Sequence, residues 1–379
     1  NNNNNKPPSI FSNNILQNVQ LKKTTTNDKS APKTTGYLTD QEIHEHVGNL
    51  LDYNIESWYE ALGDFTFPTE FVEMTPDDAR LFHRACQAFL DQKAAGKTEP
   101  ILLDQSIQND LKEFEKKFEE AFERSRGFQN SVFVKMSSRS AKDSPGQLKA
   151  LDVAYETRLN EETDLSENNR LRVLFEVATD FLKMKSTKQV IDSFVASERI
   201  LQDMNVCLSR LDRFHESVVL RKWVPIDVDQ EYRGFVSKGR LTALSQYNHV
   251  FVSQVVVDNQ KDILQLITST FNNEIKERLS KVGFQDYVID FALCGGVFST
   301  SKATKSLKDQ TVKVWVIELN PFLSSTDGAL FSWKHDSDVL LNGREDGQVE
   351  FRVRTVYEPS VRAQLEHRWR ALLVETEQK

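Results

Sequence analysis

The sequence predicts an α+β fold in which helices come first and a mostly antiparallel sheet follows. Apolar residues recur at three- and four-residue steps in residues 74–95 and 107–126, which is typical of amphipathic helices. From residue 131 onward, short runs rich in β-branched and aromatic residues are separated by turn residues, a pattern that indicates strands. One further helical pattern, residues 261–281, lies among these strands. Helices and strands that are segregated along the chain favour an α+β class.

Each helix has its own supporting signal. The first begins at Thr75, a good capping residue, with Pro76 at the first helical position. The second places Phe114, Phe118 and Phe122 on one face and a dense set of Lys and Glu on the other, which is typical of a solvated surface. Residues 167–203 contain two more helical stretches.

Seven segments are predicted to form strands, and two of them are joined by the turn Ser237-Lys238-Gly239-Arg240, a hairpin signal. The segments are Ser131–Lys135, Val218–Trp223, Glu231–Val236, Leu241–Gln246, Val250–Val257, Tyr287–Leu293 and Val312–Asn320.

Composition restricts the function classes. The chain has 379 residues, of which 39% are hydrophobic and 27% charged, an ordinary balance for a globular protein. The net charge of -8 argues against a general nucleic-acid binder, which would need a basic surface. The three cysteines are far apart and no apolar run approaches the roughly 20 residues of a membrane span, so we expect a cytoplasmic protein that binds neither membrane nor nucleic acid.

Three polar residues in predicted strands are candidate metal ligands. Glu318 and Asn320 are two apart in a strand and therefore share a face, and Asp290 is a lone carboxylate in an otherwise apolar strand. Carboxylate and amide oxygens suit Mg²⁺. The spacing is equally compatible with structural ion pairs between these acids and arginines.

Basic residues form a second group of candidates. Lys135 ends a predicted strand and opens a loop that contains four serines, Arg139 and Lys142, and such a loop can hold phosphate oxygens or can simply be solvated. Glu231 and Arg233 share a strand face, and they either pair with each other or meet a ribose and a phosphate. Neither a P-loop motif nor the protein-kinase motifs occur in the chain.

Several motifs follow one another in a distinctive order: Ser57-Trp58-Tyr59, Val132-Phe133-Val134-Lys135-Met136, Ile191–Asp203, Leu220-Arg221-Lys222-Trp223, Glu231-Tyr232-Arg233-Gly234-Phe235-Val236, Leu244-Ser245-Gln246 and Val314–Phe322. Over roughly residues 50–357 this series resembles the cell division cycle 123 proteins, a branch of the ATP-grasp superfamily. The chain departs from the family pattern at Ser137-Ser138-Arg139, Ala141, Gly234, Tyr247-Asn248-His249 and Glu318, where the family has Asp. These departures indicate a diverged member.

The resemblance implies an ATP-grasp fold with nucleotide between two α+β lobes. It implies ATP and Mg²⁺ as cofactors, with Asp290, Glu318 and Asn320 as metal ligands. The residues implied to bind nucleotide are Lys135, Arg139, Lys142, Arg221, Lys222, Trp223, Glu231 and Arg233.

The same resemblance gives a domain plan. Residues 1–37 are an Asn/Thr/Ser-rich tail that we expect to be disordered, and 38–130 form a helical N-terminal part. Residues 131–215 form a smaller lobe, 216–360 a larger lobe with the metal site, and 361–379 a C-terminal helix or tail.

Family members assemble the heterotrimeric translation initiation factor two through its gamma subunit, so the resemblance implies an ATP-dependent assembly chaperone, which we expect to be a monomer. Two alternatives remain open at this stage. One is an ATP-grasp ligase or kinase-like enzyme with an unknown substrate, and the other is a scaffold that has lost nucleotide binding. Outside the metal cluster the sequence offers no dedicated acid or base, which favours the chaperone over the enzyme.

Overall fold

The fold consists of two sheets, one antiparallel and one mostly antiparallel, each packed against helices. This arrangement confirms the predicted α+β class. The computed structural model describes residues 50–97, 101–126, 131–147, 149–294, 312–365, 369–370 and 372–374. The predicted N-terminal tail, residues 1–37, lies outside the described residues.

The first sheet has four antiparallel strands in the order β1-β4-β2-β3. Their bounds are β1 Thr69–Glu73, β2 Val132–Met136, β3 Lys183–Met184 and β4 Ser217–Lys222. Strand β1 lies within the segment predicted to be helical. It pairs with β4, which is about 150 residues further along the chain, and local periodicity cannot reveal so distant a pairing.

Eleven helices are described between residues 50 and 365, apart from 3₁₀ turns and one π turn, and residues 369–370 and 372–374 are also helical. The eleven helices are α1 Tyr59–Leu62, α2 Pro76–Ala94, α3 Gln105–Arg126, α4 Lys149–Leu159, α5 Glu167–Asp180, α6 Thr187–Val195, α7 Glu198–Ser209, α8 Gln254–Asp258, α9 Gln260–Thr270, α10 Lys276–Lys281 and α11 Ser337–Asn342. The start of α2 is the predicted one: Thr75 and Asp78 form a reciprocal capping box and Pro76 occupies the first turn.

The first sheet packs on helices α2, α3, α6 and α7 through a core rich in phenylalanine. The Phe82 ring contacts the Phe114 and Phe194 rings edge to face, and the three residues come from three different helices. All three rings are 2% exposed or less, so this cluster is the centre of the first lobe.

The second sheet has five strands in the order β8-β7-β5-β6-β9. Their bounds are β5 Glu231–Ser237, β6 Arg240–Gln246, β7 Tyr287–Cys294, β8 Lys313–Pro321 and β9 Glu350–Arg352. Only the β6–β9 pair is parallel among these described strands. The hairpin between β5 and β6 turns at Lys238 and Gly239, both with positive φ, as a tight two-residue hairpin turn requires.

Helices α9 and α10 cover one face of the second sheet, and a single π turn, Phe271–Ile275, joins them. The predicted helix 261–281 is therefore present but interrupted. The predicted strand Val250–Val257 is wrong, because Ser253 caps a helix there by accepting a hydrogen bond from Val256 N. Its β-branched residues suggested a strand, whereas local capping and burial of Phe251 and Val256 favour the helix start. Among the described residues, no helix has the length and apolarity to span a bilayer.

Candidate functional site

A cavity of about 710 Å³ lies where the two sheets face each other. Residues of β2 and β4 line it from the first sheet, and residues of β5 and β8 line it from the second. Helix α5, the segment after β6 and the C-terminal segment supply further walls, together with the loop at Lys142, Arg199 and the residues that follow β4. Of the residues predicted to bind nucleotide or metal, those that line the cavity are Lys135, Lys142, Arg221, Lys222, Trp223, Glu231, Arg233 and Glu318.

Lys135 reaches the cavity from the middle of the first sheet. It lies opposite Val219 in the β2–β4 pair and is only 2% exposed. Its Nζ lies 3.3 Å from Glu318 Oε2 and donates to the carbonyl oxygen of Ser138 at 3.0 Å. Burial lowers the pKa of Lys135, although Glu318 opposes this shift. The pair links the two sheets directly across the cavity.

A β-bulge in β8 directs Glu318 into the cavity. Asp290 pairs with Glu318 while Phe291 pairs with Val316, so Ile317 is the extra residue of the bulge. Val316 and Leu319 consequently both pack in the core, although they are three residues apart. Without the bulge, Glu318 would follow Val316 into that core, because alternate residues share a face.

The charge of Glu318 is set by the cations around it. Burial favours the neutral acid, but Lys135 and Lys142 more than offset this effect and lower the pKa of Glu318 to about 2. The carboxylate is therefore ionised at neutral pH, in a site where its side chain is 14% exposed.

A buried ion pair stands beside Glu318 in the same cross-strand row. Arg233 lies opposite Asp290, and its Nε and one terminal nitrogen each donate to the Asp290 carboxylate at 2.8 Å. Asn320 Nδ2 also donates to Asp290, at 3.3 Å. Burial raises the pKa of Asp290 despite the neighbouring Arg233. The structure thus places the three predicted metal ligands on two neighbouring strands and pairs Asp290 with Arg233. Of the three, Glu318 lines the cavity, whereas Asp290 and Asn320 do not.

Lys142 and Arg233 both contact the ring of Tyr247. The Lys142 Nζ lies 5.2 Å from the ring centroid and the Arg233 guanidinium 4.8 Å from it. Burial works against the charge of Lys142, but Tyr247 and Glu231 raise its pKa, so the lysine stays protonated. Burial raises the pKa of Glu231, which faces the same space.

Arg221 is a fully buried cation that bridges the sheets. It donates to the carbonyl of Ile317, the bulge residue, and to Thr66 Oγ1, both at 2.6 Å. Its Nε is buried without a hydrogen-bond partner in the described part of the chain. Burial lowers the pKa of Arg221 to about 10, which still leaves it charged at neutral pH. Lys222 and Trp223 follow it along the cavity wall.

Arg139 is the predicted nucleotide-binding residue that the structure places elsewhere. It forms an ion pair with Asp203 and donates to the carbonyl oxygen of Arg199, and it does not line the cavity. Two further hydrogen bonds hold the loop that contains Arg139: Ser137 N donates to the Glu216 carboxylate at 2.6 Å, and the Ser138 hydroxyl donates to Asp203. In this arrangement Arg139 holds the loop in place and Lys142 provides the loop's charge toward the cavity.

Many cavity residues were not among the predicted site residues, and Arg199, Tyr247 and Trp369 are three of them. Arg199 follows Ser197, which caps α7, and Arg199 Nε donates to the carbonyl of Ser140 at 3.1 Å. Tyr247 was noted only as a departure from the family pattern, and Trp369 lies in the segment expected to be a helix or tail. Arg199 could have been found, because it stands within the family-like stretch 191–203; the others depend on tertiary contacts.

The side chains of Asp290, Glu318 and Asn320 would hold a metal ion only if oxygens of a bound phosphate or water completed its coordination. Within the described ranges no cluster of three His, Cys, Asp or Glu side chains could hold a metal ion by itself. Glu318 and Asn320 supply one carboxylate and one amide, and Asp290 adjoins them. Mg²⁺ commonly takes one or two carboxylates and completes its shell with water and substrate phosphates, so these residues fit a phosphate-bound Mg²⁺.

Comparison with known proteins places this geometry in a family. The family model described as D123 matches residues 175–370, just over half of the chain. The chain belongs to the D123 family. The match includes every cavity residue from α5 through the C-terminal segment, whereas Lys135 and Lys142 precede it.

Curated relatives of this D123 chain carry related names. A Schizosaccharomyces pombe protein named translation initiation factor eIF2 assembly protein is 25% identical over 174 residues, 42% of this chain and 47% of the relative. A Candida glabrata protein named cell division cycle protein 123 is 27% identical over 167 residues, 42% of this chain and 41% of the relative. A Lodderomyces elongisporus eIF2 assembly protein aligns over 84% of this chain and 83% of its own length at 22% identity.

The first relatives are matched over less than half of their own length, from 28% for the Danio rerio protein to 47% for the S. pombe protein. The structure of C-terminally truncated Cdc123 from S. pombe superposes on this D123 chain with a TM-score of 0.53 at 17% identity. The superposition covers 82% of this chain and 98% of the S. pombe chain. This likeness shows that the fold is shared.

Proposed function

We propose that this D123 protein binds ATP with Mg²⁺ in the cavity between its sheets and uses the bound state to assemble eIF2 through its gamma subunit. The relatives named as eIF2 assembly proteins support the role in assembly. The nucleotide and the gamma subunit are finer proposals, which rest on the cavity and on the resemblance to an ATP-grasp family.

The observation that carries the nucleotide proposal is the set of cavity cations that make no direct ion pair. Lys142, Arg199 and Arg221 line the cavity, and among the described residues no carboxylate oxygen lies within 4.0 Å of the charged groups of their side chains. The chain as a whole has a net charge of -8, so this local excess of positive charge is not a general property of its surface. Arg221 is buried and Lys142 and Arg199 are half-buried. Withdrawing a cation from water without a direct ion pair is costly, and an anionic ligand would offset that cost.

The roles of the side chains follow from their positions. Lys135, Lys142 and Arg199 line the cavity and would hold phosphate oxygens, while Arg221 donates a hydrogen bond to the bulge beside Glu318. Glu318 and Asn320 would hold Mg²⁺, which when bound neutralises phosphate charge. Arg233 holds Asp290 and Tyr247 in place beside them.

Binding is tested by thermal unfolding and calorimetry. We expect MgATP to raise the melting temperature, since a ligand at 100 times its Kd stabilises the folded state by about 2.7 kcal/mol. Lys142→Met should weaken MgATP binding roughly 10- to 100-fold, because a hydrogen bond to a charged group contributes about 1.5–3 kcal/mol. Lys281→Met, at an exposed position on α10, serves as the matched control and should bind as the wild type does. No stabilisation at millimolar MgATP, or equal affinities for the two variants, would contradict the proposal.

The client is tested separately with purified proteins. Immobilised wild-type chain should retain purified eIF2 gamma subunit, and MgATP should increase the retained amount. Lys142→Met should retain the subunit at the level that the wild type shows without nucleotide. Retention that is absent under all conditions would reject the gamma subunit as the client, and steady ADP production in the same reactions would favour the enzyme alternative.

A further inference from the structure

A second pocket opens at the far end of the β5–β6 hairpin from the cavity. Its volume is about 200 Å³, and it lies between the hairpin turn, the π turn that joins α9 to α10, and the loop that follows α11. Its lining contains three cations, Arg240, Lys276 and Arg344, and no carboxylate. The pocket and the cavity share no lining residue, so a ligand here does not depend on nucleotide in the cavity.

The π turn Phe271–Ile275 sets the position of two polar residues of this pocket. A row of apolar residues at steps of four packs on the second sheet, each 1% exposed or less: Ile263, Ile267, Phe271, Ile275 and Leu279. Because an α-helix has 3.6 residues per turn, each step of four overshoots a full turn by about 40°. The wider π turn reduces this drift, and such turns are frequent at functional sites. Asn272 lies in the π turn and Lys276 follows it directly, and both line the pocket.

Arg240 is a pocket cation without an ion pair. One of its terminal nitrogens donates to the carbonyl oxygen of Asn342 at 2.5 Å, and its guanidinium pairs with no carboxylate among the described residues. Arg344 differs, because its guanidinium pairs with Asp346 and Glu350, neither of which lines the pocket. The charge of Arg344 is therefore compensated from outside the pocket, and that of Arg240 is not.

Lys276 is the second cation without an ion pair in the part of the chain that the structure describes. Its helical neighbours at three and four residues are uncharged: Asn272, Asn273, Leu279 and Ser280. Its stem runs beside the hairpin turn, since a Cβ on Gly239 would lie 3.9 Å from Lys276 Cε. Lys276 thus approaches the same small pocket as Arg240 from an adjacent element.

We propose that this pocket binds a phosphate monoester group through Arg240 and Lys276. A phosphate group on a side chain carries a charge of about -1.5 to -2 at neutral pH, which two uncompensated cations match. Guanidinium and ammonium groups both donate charge-assisted hydrogen bonds to phosphate oxygens. The volume suits one such group rather than a whole nucleotide, because small-molecule pockets usually measure about 300–1,000 Å³. Both cations are exposed, so a phosphorylated side chain of a partner protein can reach them, as can free phosphate.

Calorimetry on the full chain with O-phosphoserine and with serine tests the site. We expect phosphoserine to bind and serine not to bind. Lys276→Met and Arg240→Met should each weaken phosphoserine binding about 10-fold, the loss expected for one hydrogen bond to a charged group. Lys281→Met, on the same helix as Lys276, is the matched control and should bind as the wild type does. Lys142→Met, which changes the cavity, should also leave phosphoserine binding unchanged.

Inorganic phosphate and a phosphoserine peptide flanked by alanines distinguish the two sources of the group. A peptide that binds at least about 10-fold more tightly than inorganic phosphate supports a phosphorylated partner protein, whereas equal affinities support free phosphate. Lys276→Gln replaces Lys276→Met if that variant fails to fold. No binding of any phosphate probe at millimolar concentration rejects the site. Equal affinities of the wild type and the Arg240 and Lys276 variants also reject it, as does binding that only Lys142→Met removes.

Discussion

Replacing Arg233 by Met should lower the free energy of unfolding by about 3–5 kcal/mol, the usual cost of leaving one partner of a buried ion pair uncompensated. The Arg233 and Asp290 side chains are 6% and 2% exposed, so water cannot solvate the remaining carboxylate. Urea unfolding of the wild type and the variant measures the difference.

The matched control removes both charges. Arg233→Met combined with Asp290→Asn should recover much of the lost stability, because no buried charge then lacks a partner. If the double variant is as unstable as Arg233→Met alone, packing rather than charge explains the loss.

The effect of Arg233→Met should also depend on pH. Burial already raises the pKa of Asp290 in the presence of Arg233, and the loss of the arginine raises it further. A carboxyl whose pKa is higher in the folded state binds more protons there than in the unfolded chain, so stability falls as pH rises through the folded-state pKa. The deficit of the variant should therefore be smaller near pH 5 than near pH 8. A deficit that does not change with pH would show that Asp290 is not the group left uncompensated.

Combining Glu318→Gln with Asn320→Ala should remove the dependence of ATP affinity on Mg²⁺. Losing groups that hold or orient a metal typically weakens metal binding about 10- to 100-fold. The same variant should bind metal-free ATP more tightly than the wild type does, because the Glu318 carboxylate, with its pKa of about 2, repels phosphate until a cation intervenes. Calorimetric titrations with ATP, with and without Mg²⁺, measure both effects.

Glu350→Gln provides a control with the same chemical change outside the cavity, since Glu350 pairs with Arg344 at the edge strand β9. It should keep the Mg²⁺ dependence of the wild type. If the Glu318→Gln and Asn320→Ala combination also keeps this dependence, the metal is held elsewhere.

Local sequence patterns were sufficient for four of the five strands of the second sheet, whereas β9, Glu350–Arg352, was not predicted. The hairpin at Lys238-Gly239 and the strands on either side lie within a residue or two of the prediction, because turn chemistry and strand-forming residues agree there. The shared face of Glu318 and Asn320 followed from alternation in the same way. These features depend on neighbours that are close in sequence.

The remaining features depend on residues that are distant in sequence. The strand at Thr69–Glu73 exists because β4 pairs with it, and Val250–Val257 does not form a strand because Ser253 starts a helix. The basic character of Arg139 suggested a phosphate contact, but Asp203 on α7 takes its guanidinium. The bulge at Ile317 is fixed by tertiary contacts, among them the bond from Arg221 across the sheets. No periodicity in the sequence carries that information.

The order of strands in the first sheet has a consequence for synthesis of the chain. Strand β4, Ser217–Lys222, lies between β1 and β2, which are made long before it. At a translation rate of about 5–20 residues per second, the interval between the end of β2 and the end of β4 lasts roughly 4 to 17 seconds. Throughout that interval β1 and β2 have no central strand to pair with and present open edges that invite pairing with other chains. Emergence of Ser217–Lys222 from the ribosome is therefore the event that closes this period of exposure.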